Sequence, residues 1–233
     1  MASPAIIKAL RKFTTCDIGD ALVRLKVPYG GYLSGLKMYS APHPNPHFQM
    51  DPTSKILGPA YTVRMVHASD KTSPTLSMHF ADNIPKGSVV FVSQPKGLIS
   101  ACWGGLMSTR AKNAGAAGVV VDGRFRDVLE HRDLGMGLFA RGSSILGSNT
   151  FTRAAGLDVP LRFRIEELED AEVKVRPGDL IMGDADGVVV IPPELASELI
   201  ETCEARWQID EETRSCLEKG DLFGPTIKRL RKG

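Results

Sequence analysis

Three short apolar runs limit what this chain can fold into more than any other feature. Residues 88–92 (SVVFV), 118–121 (GVVV) and 187–191 (GVVVI) are dominated by valine and carry no alternating polar residue. Runs this brief and β-branched read as strands buried on both faces, because a strand with one wet face alternates and a core helix is longer. Residues 60–66 (AYTVRMV) do alternate, as a half-buried strand does. Between the runs lie stretches of helical composition, residues 106–117 and a short helix over 127–134, followed by candidate strands at 138–141 and 173–175. Residues 193–218 read as a terminal helix, with Pro193 and Glu194 in its first turn, where fixed φ and negative charge are favourable.

Strands alternating with helices imply an α/β architecture of layered sheet and helices. A first helical region is expected over residues 6–25, broken near Thr14 and Thr15, with Thr15 or Asp17 capping its second half. Residues 27–57 are rich in Gly and Pro, with Pro42, Pro44 and Pro46 on alternate positions. They read as a long irregular excursion, which in a compact domain is more often functional or interfacial than idle. No internal repeat interrupts the pattern. One domain over residues 1–233 is expected, with an N-terminal helix and a C-terminal helical tail.

Composition removes several function classes. A formal net charge of +2 supplies no electrostatic footprint for nucleic acid. The closing Lys228, Arg229, Arg231 and Lys232 read as a solvated basic tail. No apolar run approaches the ~20 residues that a membrane span needs. Cys16, Cys102, Cys203 and Cys216 are scattered without a CxxC pair, which suits reduced thiols. The first sixteen residues are basic and free of acid, as transit peptides are, yet Ile6, Ile7, Leu10 and Phe13 also suit an amphipathic first helix. The second reading makes the expected location cytoplasmic.

The chemistry concentrates where residues 123–131 (GRFRDVLEH) follow the 118–121 strand. These residues stand at a strand's carboxyl end, where open α/β sheets place ligands. If Asp127 opens the next helix, Asp127 and Glu130 share one face. Two carboxylates form an oxygen-rich site for a hard cation such as Mg2+ or Mn2+, which keeps water among its ligands. Arg126 beside them offers a planar fork to a substrate oxygen. The alternative is structural: Asp127 as an N-cap, Glu130 completing a capping box, Arg126 in a surface ion pair. Upstream, Cys102-Trp103-Gly104-Gly105 precedes a helix, and glycines there expose N–H groups that favour a carboxylate or phosphate. A simple tight turn explains that step equally well.

Twenty residues separate Gly105 from Arg126, and Asp127, two residues and Glu130 follow. This G-x20-R-D-x2-E/D spacing resembles the signature of the RraA-like family, in particular its class II 4-hydroxy-4-methyl-2-oxoglutarate / 4-carboxy-4-hydroxy-2-oxoadipate aldolases, which also decarboxylate oxaloacetate. The resemblance extends through TCDIGDAL at 15–22, GPA at 58–60, AKN at 111–113, GVVVDG at 118–123, FARG at 139–142 and GDADGV at 183–188. It implies an αββα-type sandwich related to phosphohistidine swivelling domains, assembled as a homotrimer or homohexamer with sites between subunits. By the same resemblance, Asp127 is the direct metal ligand, with Glu130 acting through water, and Arg126 contacts the keto or enolate oxygen. The backbone at Gly104, Gly105, Leu106 and Met107 receives the substrate carboxylate. The implied activity is Mg2+- or Mn2+-dependent cleavage of a small 2-oxo acid with release of pyruvate.

One position departs from the family. Many members carry Asp or Glu directly after the motif glycine, where this chain has Leu106. Retro-aldol cleavage needs a base for the C4 hydroxyl proton, whereas decarboxylation needs only an electron sink. Decarboxylation is therefore expected to survive better than aldol cleavage.

The remaining polar residues read as accessory. His131 could add a ligand, although a solvent-facing or supporting role suits it better, and His43 and His47 sit in the proline-rich stretch. Lys112 could suggest a Schiff base, but solvation in its helix is the simpler reading. Asp184 and Asp186 read as turn formers, and Arg141 is a candidate for a distal carboxylate. A competing function is a non-catalytic regulatory binding protein like RraA itself, whose relatives can lack the motif aspartate that is present here. A methyltransferase reading finds no Gly-rich cofactor loop after a first strand.

Overall fold

The computed structural model describes residues 3–42 and 54–231. His43, His47, Pro44, Pro46 and Lys232 lie outside the described residues. In chain order the helices are α1 (Pro4–Leu10), α2 (Thr15–Arg24), α3 (Gly105–Asn113), α4 (Val128–Leu134), α5 (Ala196–Glu218) and α6 (Phe223–Leu230). The strands are β1 (Lys37–Ser40), β2 (Ile56–His67), β3 (Val89–Ser93), β4 (Gly118–Phe125), β5 (Leu138–Ser143), β6 (Thr152–Leu157), β7 (Leu161–Arg164), β8 (Glu172–Val175), β9 (Leu180–Asp184) and β10 (Gly187–Ile191).

The long strand β2 joins two parts of one sheet in the order β1-β5-β4-β3-β2-β9-β10, with β6 also pairing β2. Strands β2, β3, β4 and β5 run parallel, while β1, β6 and β9 add antiparallel to that group and β10 to β9. The apolar runs are continuous because each strand feeds two cores. Val89, Phe91, Val120 and Phe139 point inward to meet Ile181, Val188 and Val190, together with Phe163 and Val175 of the β7–β8 hairpin. Their neighbours Val90, Val92, Val119, Val121 and Leu138 face α3 and α4. On the far side, Leu180, Met182, Val189 and Ile191 face Leu10, Ile18, Leu22 and Leu199 of α1, α2 and α5. The layers therefore run helix, sheet, sheet, helix. This is the αββα arrangement, and the period-2 geometry of a strand is what divides each valine run between two cores.

Local details differ from expectation. Thr14, not Thr15 or Asp17, is the N-cap of α2: its Oγ1 accepts the Asp17 N–H at 3.2 Å, and Asp17 Oδ2 accepts the Thr14 N–H at 2.8 Å. Thr15 instead donates its N–H and hydroxyl to the buried Asp184 at 2.8 and 2.6 Å, so Asp184 ties α2 to the β9–β10 turn rather than merely forming that turn. The 27–57 excursion contains β1 and the start of β2. Strands β1, β6, β7 and β9 lie in segments without a strand pattern, and the C-terminal helical tail divides into α5 and α6. No helix among the described residues is long and apolar enough to cross a membrane.

Candidate active site

The motif residues meet at the carboxyl edge of the parallel strands. Strand β4 ends at Phe125, and the Arg126 N–H donates to the Trp103 carbonyl at 3.0 Å, which brings the segment before α3 beside the segment before α4. Trp103 is fully buried, and its Nε1–H donates to Ser108 Oγ at 2.7 Å, fixing the turn onto the first part of α3. The β4–β5 register slips between Val121 and Arg124, next to the site. Irregular pairing of this kind re-aims the side chains that follow it.

Asp127 occupies the N-cap position of α4 in the left-handed region (φ 67°, ψ 46°), and its side chain makes no bond to its own helix. The capping-box alternative is thereby overturned. Its Oδ2 reaches across to accept the Gly105 N–H at 2.9 Å, so Asp127 caps α3 instead. Arg126 Nε lies 3.6 Å from the same oxygen. A carboxylate there also suits the positive end of the α3 dipole.

Glu130 arrives from the first turn of α4. A Cβ on Gly105 would stand 1.8 Å from Glu130 Oε2, and one on Gly104 would stand 2.9 Å from Asp127 Oδ2. Gly104 has an ordinary extended φ of −148°. The glycines are needed here for space, not for backbone freedom, because two carboxylates crowd onto their step. Gly147 plays the same part for Arg126, whose Nη1 would lie 3.0 Å from an added Cβ.

A cavity of about 150 Å³ lies over residues 104–107, Arg126 and Asp127, with Ser148 on its wall. A larger cleft of about 540 Å³ shares Cys102, Met107 and Ser148 with it. The Gly105 N–H is taken by Asp127, and the Met107 N–H bonds to the Gly104 carbonyl at 3.1 Å. Among the described residues, the N–H groups of Gly104 and Leu106 have no partner. Leu106 turns its side chain to solvent, 84% exposed.

The donor set fits a hard cation that keeps water and substrate as its other ligands. Two carboxylates converge, and among the described residues no group of three or more His, Cys, Asp or Glu forms a complete protein cage. Mg2+ is commonly bound by one or two carboxylates in this way.

Other candidates fall elsewhere. His131 is fully buried rather than solvent-facing; Nε2 lies 2.8 Å from the Arg126 carbonyl, and burial pushes the imidazole below its ordinary pKa. Lys112 stands in the last turn of α3 and donates to the Leu134 carbonyl at the end of α4, so it ties two helices together rather than being simply solvated. Arg141 is held in a separate cluster: its Nε meets buried Asp122 at 2.5 Å and Nη1 lies 3.4 Å from Glu166, while Lys96 reaches both acids. It is not among the residues lining the motif cavity. Ser148 and Gly147 were missed by the sequence reading. The available signal was a Gly/Ser/Asn-rich stretch directly after β5, at the same sheet edge.

Comparison with known proteins identifies the family and the fold. A family model described as RraA-like (Aldolase/RraA) matches residues 15–190. The chain belongs to the RraA-like family. Among its relatives, a Halalkalibacterium halodurans protein is 32% identical over 165 residues, covering 71% of this chain and 72% of that protein. It is provisionally named a 4-hydroxy-4-methyl-2-oxoglutarate aldolase. The Thermus thermophilus 4-hydroxy-4-methyl-2-oxoglutarate aldolase is 34% identical over 106 residues, 46% of this chain and 60% of that protein. Among solved structures, Streptomyces coelicolor RraAS2 superposes with a TM-score of 0.75 at 25% identity, covering 92% of this chain and 99% of that one. It is described as an unusual member of the RNase ES inhibitor RraA family. The αββα sandwich is thus the RraA-like fold.

Proposed function

We propose that this RraA-like protein is a divalent-cation-dependent carbon–carbon lyase that cleaves small 2-oxo acids and releases pyruvate. The observation that carries the reading is the convergence of Asp127 and Glu130 on the Gly104–Gly105 step with Arg126 alongside. Aldolase names among the relatives support the same class.

Asp127 would hold Mg2+ or Mn2+ directly and Glu130 would hold it through water. Bound there, the cation supplies electron withdrawal from the substrate carbonyl. The free N–H groups of Gly104 and Leu106 receive the substrate carboxylate, helped by the α3 dipole. Arg126 donates to the keto oxygen, and its charge counters the negative charge that grows there as the C3–C4 bond breaks. With oxaloacetate the bonding pair passes into the pyruvate enolate, C4 leaves as CO2, and a solvent proton completes pyruvate at C3. With a 4-hydroxy-2-oxo acid, a base must also take the hydroxyl proton as C4 becomes a carbonyl. Leu106 offers no base, so decarboxylation is the favoured half of the activity. The leaving portion extends toward the larger cleft through Cys102, Met107 and Ser148.

Assembly as a homotrimer or homohexamer belongs to the same proposal. Exposed Leu106 and Leu129, one at the cavity and the other beside Glu130, suit cover by a second copy.

Pyruvate release from oxaloacetate with Mg2+ or Mn2+, repeated with EDTA and with Asp127→Ala, tests the reading. Loss of release under both treatments is expected. Release indifferent to both would overturn it.

A further inference from the structure

We propose that His131 is a positioning residue, whose imidazole Nε2–H holds the Arg126 carbonyl and so sets the Arg126–Asp127 peptide that aims both site side chains. The inference rests on the proposed roles of Arg126 and Asp127.

The peptide between them is gripped from several directions. On its N-terminal side the Arg126 N–H bonds to the Trp103 carbonyl at 3.0 Å. The Arg126 carbonyl lies 2.8 Å from His131 Nε2, and the His131 N–H returns to the Asp127 carbonyl at 3.3 Å. Between these anchors Asp127 adopts φ 67°, a region that L side chains seldom enter and that persists only where surrounding contacts impose it. That backbone turn lets the carboxylate leave its own helix and cap α3 at Gly105. Without the hold on the Arg126 carbonyl, the peptide plane is free to rotate toward ordinary helical geometry. The carboxylate would then swing toward its own helix start.

The chemistry of the ring supports the assignment. A carbonyl oxygen can only accept, so Nε2 carries the proton and Nδ1 carries a lone pair. Nδ1 is buried with no hydrogen-bond partner among the described residues. A fully buried ring that leaves one nitrogen unpaired is a costly filler; an aliphatic side chain would occupy the space beside Phe125 without that loss. The return on the cost is the bond to Arg126. The main chain that carries the ring is also held, since Ser40 Oγ donates to the His131 backbone carbonyl at 3.0 Å.

The test uses the full chain with His131→Leu, which fills space without a donor, and His131→Gln, whose amide N–H can reach the same carbonyl. Three readouts are taken: Mn2+ affinity by titration, exchange protection of the Gly105 amide by NMR, and pyruvate release from oxaloacetate. The leucine variant is expected to weaken Mn2+ binding by about tenfold or more, in the range seen when supporting groups around a metal site are removed. It should also lose Gly105 amide protection, and the glutamine variant should recover most of both. Wild-type Mn2+ affinity and amide protection in folded His131→Leu would overturn the proposal. So would a glutamine variant that folds but is as defective as leucine, because packing alone would then explain the defect. If neither variant folds, the nitrogen shifts of the wild-type imidazole decide the matter: a protonated Nε2 upholds the proposal and a protonated Nδ1 refutes it. A wild-type protein that neither binds Mn2+ nor releases pyruvate would remove the lyase reading. Amide protection and the tautomer would still judge His131.

Discussion

Gly105→Ala separates site chemistry from folding more sharply than any change to a charged residue. The new Cβ would stand 1.8 Å from Glu130 Oε2 and 2.7 Å from its Cδ. Ordinary contact needs about 3.5 Å, so the carboxylate must retreat by roughly 1.7 Å. Glu130 is exposed and can leave by turning its side chain, at no more than about 0.5–1.5 kcal/mol, the cost of an off-rotamer χ. Alanine at the start of α3 returns up to about 1 kcal/mol over glycine in helix propensity. Stability should therefore stay within about 1 kcal/mol of wild type, while the carboxylate proposed to hold metal-bound water is lost from its place. The expected cost is about 10- to 100-fold in activity or Mn2+ affinity. Thermal melting, Mn2+ titration and coupled pyruvate detection read the two effects separately. Because the damage passes through Glu130, the Gly105→Ala/Glu130→Ala pair should be no worse than Glu130→Ala alone. Wild-type activity within twofold in a folded Gly105→Ala protein would refute the reasoning, as would full additivity of the pair.

Leu106→Asp places an acid beside the cavity and should raise retro-aldol cleavage relative to oxaloacetate decarboxylation by at least about tenfold, since a placed base contributes about 10²–10⁴; an unchanged ratio counts against the proposed role of Leu106. Asp122→Asn removes the buried charge that Arg141 and Lys96 share and should cost roughly 3 kcal/mol in denaturant unfolding, with less than about 1 kcal/mol contradicting a structural role. Burial pushes the Cys102 and Cys203 thiols up to about 12; partial burial and the neighbouring Asp186 raise Cys16 as well, but Cys16 is exposed. At pH 8 a disulfide reagent should modify Cys16 before Cys102 and Cys203, which should react only on unfolding. Equal rates for Cys16 and Cys102 in the native protein would contradict the packing around Trp103.

What the chain's own order determines is its periodicity and its spacing. Valine runs without polar alternation demand strands covered on both faces, and that alone points to layered sheets and helices, because each strand must feed two cores. The interval from Gly105 to Arg126, Asp127 and Glu130 is likewise a property of the sequence, and it carried the family resemblance. Short strands such as β6 (TRAAGL) and β7 (LRFR) have no comparable pattern. Their pairing comes from β2 and β8, contacts that no local window contains. The site divides in the same way. Residue types at Asp127 and Glu130 suggested a cation, but their spacing by itself suited a capping box better. Only the tertiary structure removed the capping box, by turning Asp127 left-handed and sending its carboxylate to an amide 22 residues away, and the cation stays a proposal. The purpose of Gly105 and the buried state of His131 were decided there too. The first depends on which segments the Arg126–Trp103 bond brings together and the second on packing against Phe125 and on Ser40 from β1, and contacts between distant segments leave no mark on the local sequence.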